Sequence, residues 1–259
     1  MDSIAALPMY DWPECRSTND LLWAKIREKI SAAGLPAPKR LARCNADMPP
    51  VPGGIRDESG QLIAPDPAEL PPDEFDLFVL WRHPGLVFAQ TCWGPMQAGL
   101  AEHVEVLGQP DYSNYKGGEK ELYRSAIVMR GDSSIEISPE SLPVLPIEMM
   151  RGKRFAFNDQ QSMSGILALK QDMVRTGAIP GEDHFGSFWS ERVQTGSHRD
   201  SIAAVASGLA DVAAIDCKTW HMALEHEPAS RALAVVGWTA PRPGLPYIRS
   251  KRFAAAVNS

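Results

Sequence analysis

The chain has 259 residues, 44% hydrophobic and 22% charged, enough for one large domain or for two lobes with separate cores. Its formal net charge is −6, with acids and bases interspersed and no basic block to neutralise a run of phosphates, which argues against a nucleic-acid partner. No apolar run approaches the roughly 20 residues of a membrane span, so no membrane insertion is expected.

In chain order, Ser3 to Tyr10 reads as the first strand. With Asp2 ahead of it, there is no basic stretch followed by an apolar run of about 7–15 residues, as a secretory leader has. The expected location is therefore cytoplasmic as written, and periplasmic only if a leader is added. Tyr10-Asp11-Trp12-Pro13 introduces a helix to about Ala33. Its apolar residues Leu22, Trp23, Ile26 and Ile30 recur at helical spacing, Pro13 suits a first turn, and Gly34 suits the stop. Residues 44–74 are rich in Pro, Gly, Asp and Glu without periodicity and read as a mobile insertion.

Phe75 to Trp81 follows as a short helix or strand, then Leu86 to Ala89 as a buried strand ending in Gln90-Thr91-Cys92-Trp93-Gly94-Pro95. Met96 to His103 reads as a short helix, and Val104 to Leu107 and Leu122 to Met129 as strands. The second half repeats the rhythm. Arg154 to Phe157 is a strand, and Ser162-Met163-Ser164-Gly165 opens a helix carrying Ile166, Leu169, Met173 and Val174. Phe188 to Val193 is a strand, and Thr195-Gly196-Ser197-His198 leads into a helix that Gly208 ends. Val212 to Ile215 closes on Asp216, residues 217–227 are helical, Ala232 to Gly237 is a strand, and Pro241 to Pro246 crosses back.

Alternating strands and helices predict an α/β protein with mostly parallel sheets flanked by helices. In such sheets ligands sit beyond the carboxyl ends of strands, where loops lead into helix starts whose free N–H groups favour anions. Tyr10, Thr91, Ser162 to Gly165, His198 and Asp216 all fall at such places. Without a ligand in mind, Ser162 and Ser164 are also good helix caps, and a lone histidine is more often structural than functional. Asp216 is the sharper candidate, because a buried carboxylate is costly without a partner.

Cys15, Cys44, Cys92 and Cys217 form no C-x-x-C pair and read as small buried hydrophobes, and no metal or other cofactor is expected. Trp12, Trp81, Trp93 and Trp189 read as core or rim. His221 and His226 are not at the i, i+4 spacing of a helical metal pair and read as a solvated face. No G-x-S-x-G elbow, Walker A loop, H-E-x-x-H or G-x-G-x-x-G occurs.

Taken together, Tyr123-Arg124-Ser125-Ala126-Ile127-Val128, Gly152 to Gly165 with its Ser162-Met163-Ser164-Gly165, Thr195 to Val205, Gly208 to Asp216, and Gly237 to Pro246 resemble the phosphonate/phosphite solute-binding proteins of ABC importers. The match covers about residues 123–247, with a weaker one before it. The resemblance implies a two-lobed type II periplasmic-binding-protein fold with a cleft between lobes. Lobe 1 would span 1–124, completed by 244–259, and lobe 2 would span 125–243. It further implies that Ser162, Met163, Ser164 and Gly165 hold the oxygens of a phosphonate- or phosphate-like solute, with His198, Asp216, Tyr10 and Thr91 as further contacts. Met163 stands where the family often has Thr, removing a hydroxyl donor. The C-terminal segment after Tyr247 implies a short or missing last helix. The partners implied are the small-molecule ligand and, if the protein is exported, an ABC permease. The alternative is a small cytoplasmic biosynthetic enzyme on the same fold, similar to those of the futalosine menaquinone route and of thiamine pyrimidine formation. There His198 would be a general base oriented by Asp216.

Overall fold

The computed structural model describes residues 2–131, 137–140 and 142–258, without side-chain placement for 256–258. Met1 and Ser259, included in the expected first lobe, lie outside the described residues. The chain divides into two compact units, Met1–Gly108 with Leu245–Ser259, and Gln109–Gly244.

Unit 1 opens with β1 (Ile4–Ala6), shorter than the expected strand. Pro8 has no N–H for a ladder and instead begins a 3-10 turn, Pro8–Tyr10. In α1 (Arg16–Ala32) only Asn19 and Trp23 are buried. Trp23 packs on Phe88 at 5.9 Å between ring centroids, and Gly34 leaves the helix with the left-handed φ of 77° that its stop requires.

Residues 44–74, expected as a mobile insertion, carry secondary structure and core contacts of their own. They contain a hairpin of β2 (Ile55–Arg56) and β3 (Leu62–Ala64), and they send Met48, Ile55 and Ala64 into the core. Buried Asn45 donates from Nδ2 to the Pro71 carbonyl at 2.8 Å and accepts from the Asp76 N–H at 2.8 Å. Asp66 accepts from the N–H groups of Val51 and Ala68 at 2.9 and 3.0 Å. Order here comes from polar side chains satisfying distant backbone groups, which leaves no periodic trace in the sequence.

Next come α2 (Leu77–Arg82), capped by Asp76 accepting from Val79, then β4 (Leu86–Gln90), α3 (Trp93–Gln97) and β5 (Val104–Gly108).

Unit 2 contains β6 (Leu122–Tyr123), β7 (Ser125–Arg130), α4 (Ile147–Met150) and β8 (Arg154–Phe157). A π turn, Met163–Leu167, then runs straight into α5 (Ala168–Arg175). There follow α6 (Phe185–Phe188), β9 (Glu191–Gln194), α7 (His198–Ser207), β10 (Val212–Asp216), α8 (Cys217–His226), β11 (Leu233–Trp238) and β12 (Arg242–Pro243). The expected strand at Phe188–Val193 starts only at Glu191. The aromatic run ahead of it belongs to the core instead, with Trp189 stacked on Phe155 at 4.6 Å, because a short apolar run reads equally as strand or buried turn. The chain returns to unit 1 with β13 (Tyr247–Ser250) and the eight-residue α9 (Lys251–Asn258).

The division falls at Gly108/Gln109, ahead of the expected boundary at residue 124. Residues 109–124 stay with unit 2 because β6 pairs with β12, Tyr112 stacks on Tyr123 at 5.5 Å, and Gly244 donates to the Glu121 carbonyl at 2.7 Å.

Unit 1 holds a sheet in the order β1-β4-β13-β5, and unit 2 one in the order β11-β7-β10-β8-β9. In unit 1, β1 and β4 are parallel while β13 is antiparallel to both β4 and β5, so β13 alone is reversed. In unit 2, β8, β9 and β10 are parallel while β7 is antiparallel to β10 and β11, so β7 alone is reversed. In both units the reversed strand lies close behind the point where the chain enters. The other strands of unit 2 point their carboxyl ends the same way, at the edge where Asp216 pairs in register with Ser125.

Candidate functional site

Three chain segments of unit 2 meet at that edge. The first follows β8. Ser162 caps the helix start, its Oγ accepting from the Gly165 N–H at 3.0 Å. The first turn is π-wound, the Leu167 N–H reaching the Ser162 carbonyl at 3.1 Å, a widening often found at functional sites. Gly165 leaves room there: a Cβ would lie 1.9 Å from Asn158 Oδ1 and 2.9 Å from Ser162 Oγ, so both side chains would have to shift.

The second segment is sewn to the end of β8. Thr195 and Gly196 donate their N–H groups to the carbonyls of Phe157 and Asn158 at 2.9 and 3.0 Å. Thr195 Oγ1 also bonds the Phe157 carbonyl at 3.1 Å and Ser201 Oγ at 2.7 Å. Gly196 takes a φ of 88°, and Ser197 caps α7 by accepting from the Asp200 N–H at 3.0 Å. The turn sets His198 beside Ser164, with Ser164 Oγ 2.8 Å from His198 Nε2.

The third segment is the end of β10. Asp216 is buried, and its Oδ2 lies 3.5 Å from the same His198 Nε2. Asp216 also caps α8, with Oδ1 accepting from the Thr219 N–H at 2.9 Å and Oδ2 accepting from the Thr219 hydroxyl.

Burial lowers the pKa of His198 from the usual 6.5, against the opposing pull of Asp216. Its place as the first residue of α7, at the positive end of the helix dipole, works in the same direction as burial. The ring is therefore neutral at physiological pH, with one N–H. We assign that proton to Nε2, because the Asp216 carboxylate faces this nitrogen. Ser164 Oγ then accepts from His198 and keeps its own proton to donate. Buried Nδ1 has no hydrogen-bond partner among the described residues.

This geometry differs from a serine relay. In such a relay the carboxylate holds Nδ1 while the hydroxyl faces Nε2. Here Ser164 and Asp216 both approach Nε2, so Ser164 is not set up as the nucleophile of such a relay. Cys217 follows Asp216 and is itself buried. Burial, reinforced by the Asp216 charge, pushes its thiol pKa up to about 12.

Of the residues expected at the site, the structure thus brings Ser162, Met163, Ser164, Gly165, His198 and Asp216 together in unit 2. Met163 is buried between the two serines. In unit 1, Tyr10 is buried at the end of the 3-10 turn after β1, its carbonyl accepting from Asn19 at 3.1 Å. Thr91 is fully buried after β4, its N–H donating to the Pro246 carbonyl at 3.1 Å and its Oγ1 without a hydrogen-bond partner among the described residues. Asn158 and Thr219 were not singled out from the sequence. The Asp216-x-x-Thr219 spacing is a legible capping signal, whereas nothing marks Asn158 until it is seen over Gly165.

Cys92 and Cys217 are buried, Cys15 and Cys44 only partly so. Trp81 and Trp189 are buried, Trp12 and Trp93 half-buried. His221 of α8 is half-exposed, 3.4 Å from Glu225 and edge-on to the Tyr115 ring at 5.2 Å. No group of metal-binding side chains occurs among the described residues, and no helix among them is long and apolar enough to cross a membrane.

Residues 93–259 match the family described as ABC transporter, phosphonate, periplasmic substrate-binding protein. No curated protein matches the chain. Among solved structures, PhnD1 from Prochlorococcus marinus in complex with methylphosphonate is similar, at 17% identity and a TM-score of 0.52, over 68% of this chain and 60% of that one. A binding-protein component of an ABC phosphonate transporter from Pseudomonas aeruginosa gives 18% identity and a TM-score of 0.49, over 69% of this chain and 56% of that one. The chain spans less than two thirds of the length of either structure, and at these identities the likeness is one of fold.

Proposed function

The chain belongs to the phosphonate-binding family of ABC-transporter substrate-binding proteins, and we propose that it binds a small phosphonate- or phosphate-like solute at the Ser162–Gly165 helix start. The observation that carries this reading is the Ser164–His198 contact of 2.8 Å at a capped helix start. It joins helix N–H groups, two hydroxyls and a neutral imidazole on one small patch. Such a patch suits an oxyanion without bringing in a full positive charge.

Asp216 sets the protonation preference. A fully ionised ligand would meet its carboxylate, whereas a ligand retaining a proton or carrying an amine would be accepted, so discrimination should follow ligand protonation. Met163 makes the site poorer in hydroxyls and favours a ligand with an apolar substituent beside its anionic group. Tyr10 and Thr91 are proposed as ligand contacts on the same grounds, each standing at the carboxyl end of a unit 1 strand. An ABC permease is the proposed protein partner.

Calorimetric titration with methylphosphonate and with inorganic phosphate tests the reading. Saturable binding is expected, weakened about tenfold or more by Ser164→Ala and by His198→Ala, since each removes one partner of a buried polar contact. Absence of binding to both probes, or equal affinity in both folded variants, would move the ligand elsewhere.

A further inference from the structure

Unit 1 carries a polar cavity that shares no residue with the helix start of unit 2. It measures about 280 Å³, and Arg56, Arg82, Lys251 and Arg252 all line it. Each of these cations is held by main-chain carbonyls. Arg56 Nη1 donates to Gly60 at 2.9 Å, Arg82 Nη1 to Phe78 at 3.2 Å, and Arg252 Nη1 to Arg56 at 2.9 Å. Lys251 Nζ donates to the carbonyls of Ala101 and Glu102 at 2.9 and 3.1 Å. Among the described residues none of the four is in an ion pair. Carbonyl anchoring fixes where the charges sit without neutralising them, which is the preorganisation an anion site needs.

Arg82 is the most buried of the four cations. Its guanidinium lies 3.5 Å from the centroid of the Phe78 ring, half-buried and without a carboxylate partner. Burial pulls its pKa below the ordinary value, with Asp76 opposing, so the unneutralised charge is held at a cost.

Asp57, Glu58 and Glu102 also line the cavity. Asp57 Oδ1 is already committed to a tight turn, accepting from the Ser59 N–H and hydroxyl and the Gln61 N–H at 2.9, 2.7 and 2.9 Å. Glu58 and Glu102 are exposed and free to turn to water. Those bonds hold the Asp57 carboxylate in place without removing its charge, so the anchored groups are four cations against one carboxylate, a positive balance, and α9 begins at Lys251 with the positive end of its dipole there.

We propose that this cavity is a second ligand site, for a small molecule carrying two or more phosphate or carboxylate groups. Several anchored cations spread around one cavity fit a ligand whose charges are likewise spread, better than a single monoanion. The inference goes beyond the solute site of unit 2 and depends on none of its residues.

Pyrophosphate is the probe, titrated by calorimetry at ionic strength matched with sodium chloride. Saturable binding is expected in the full-length protein and in Ser164→Ala, weakening as salt is raised. Arg82→Gln, Lys251→Gln and Arg252→Gln should each weaken it about tenfold. Arg82 also packs on Phe78, so the exposed Lys251 and Arg252 variants keep the test readable if Arg82→Gln is unstable. No saturable binding in the wild type overturns the proposal. So does binding unchanged by Lys251→Gln and Arg252→Gln, or binding that Ser164→Ala alone abolishes, which would place pyrophosphate in unit 2. Methylphosphonate binding reads the unit 2 site separately, so the two failures are distinguishable.

Discussion

At the scale of single residues, His198 and Gly165 carry the sharpest consequences. The pKa of His198 is lowered by burial from 6.5. As pH falls below 6.5, the unfolded chain takes up a proton on His198 while the folded protein does not, so stability falls until the folded-state pKa is passed. His198→Gln lacks this linkage. Thermal unfolding followed from about pH 7.5 to 5 should show the wild type losing more stability than the variant. His83, also buried with a lowered pKa, is present in both proteins and cancels. A difference between the two proteins that does not change with pH would contradict a neutral His198. At Gly165 an added Cβ would fall 1.9 Å from Asn158 Oδ1. Gly165→Ala should therefore destabilise by about 1–3 kcal/mol and impair methylphosphonate binding. Adding Asn158→Ala should recover a good part of the stability, a non-additivity that urea unfolding of the single and double variants measures.

At the scale of elements, two connections hold what sequence patterning did not announce. Helix α5 is bolted to the segment that carries the chain out of unit 2. Asp172 of α5 is fully buried and accepts from the Ala240 N–H at 2.7 Å and from Arg242 Nη2 at 2.8 Å. Arg242 Nη2 also donates to the Ala168 carbonyl at 3.0 Å. Asp172→Ala would strand the Arg242 guanidinium and a buried N–H, at an expected cost of about 3–5 kcal/mol in chemical denaturation. Replacing both partners by Asp172→Leu with Arg242→Met should cost less, because the Arg242 charge is gone and Arg175, the other partner of Asp172, is exposed to water, leaving only the Ala240 N–H without its acceptor. The second connection is Asn45, which ties residues 44–74 to Pro71 and Asp76. Asn45→Ala should cost about 1–3 kcal/mol and expose this segment to limited proteolysis under conditions where the wild type resists. Equal cleavage of both proteins would mean that the segment opens without Asn45's help.

At the scale of the whole molecule, the two units differ in how the chain builds them. Unit 2 is continuous, Gln109–Gly244, with its own five-stranded sheet and an aromatic core around Phe155, Phe185 and Trp189, whereas unit 1 needs both ends of the chain. A fragment of residues 109–244 is therefore expected to fold alone and to unfold cooperatively on heating, while residues 1–108 without β13 lack the strand between β4 and β5. Circular dichroism melts of the two fragments check this. A non-cooperative melt of 109–244 would show that unit 2 depends on the rest of the chain.

The sequence by itself determined the α/β rhythm, the caps and stops, and the positions of Ser162, His198 and Asp216 at helix starts and strand ends. These are local signals: periodicity, Gly where φ must be positive, and hydroxyl or carboxylate residues before a helix. It also carried the family resemblance that the match over residues 93–259 establishes. Only the tertiary structure decided the rest. That His198 presents one nitrogen to both Ser164 and Asp216 follows from how Thr195 and Gly196 are sewn to the end of β8. Residues 44–74 are ordered by bonds to distant carbonyls, and the cations of the unit 1 cavity are gathered from β2, α2 and the start of α9. Contacts between residues far apart in the chain leave no spacing to read, because the backbone that brings them together is set by the whole fold.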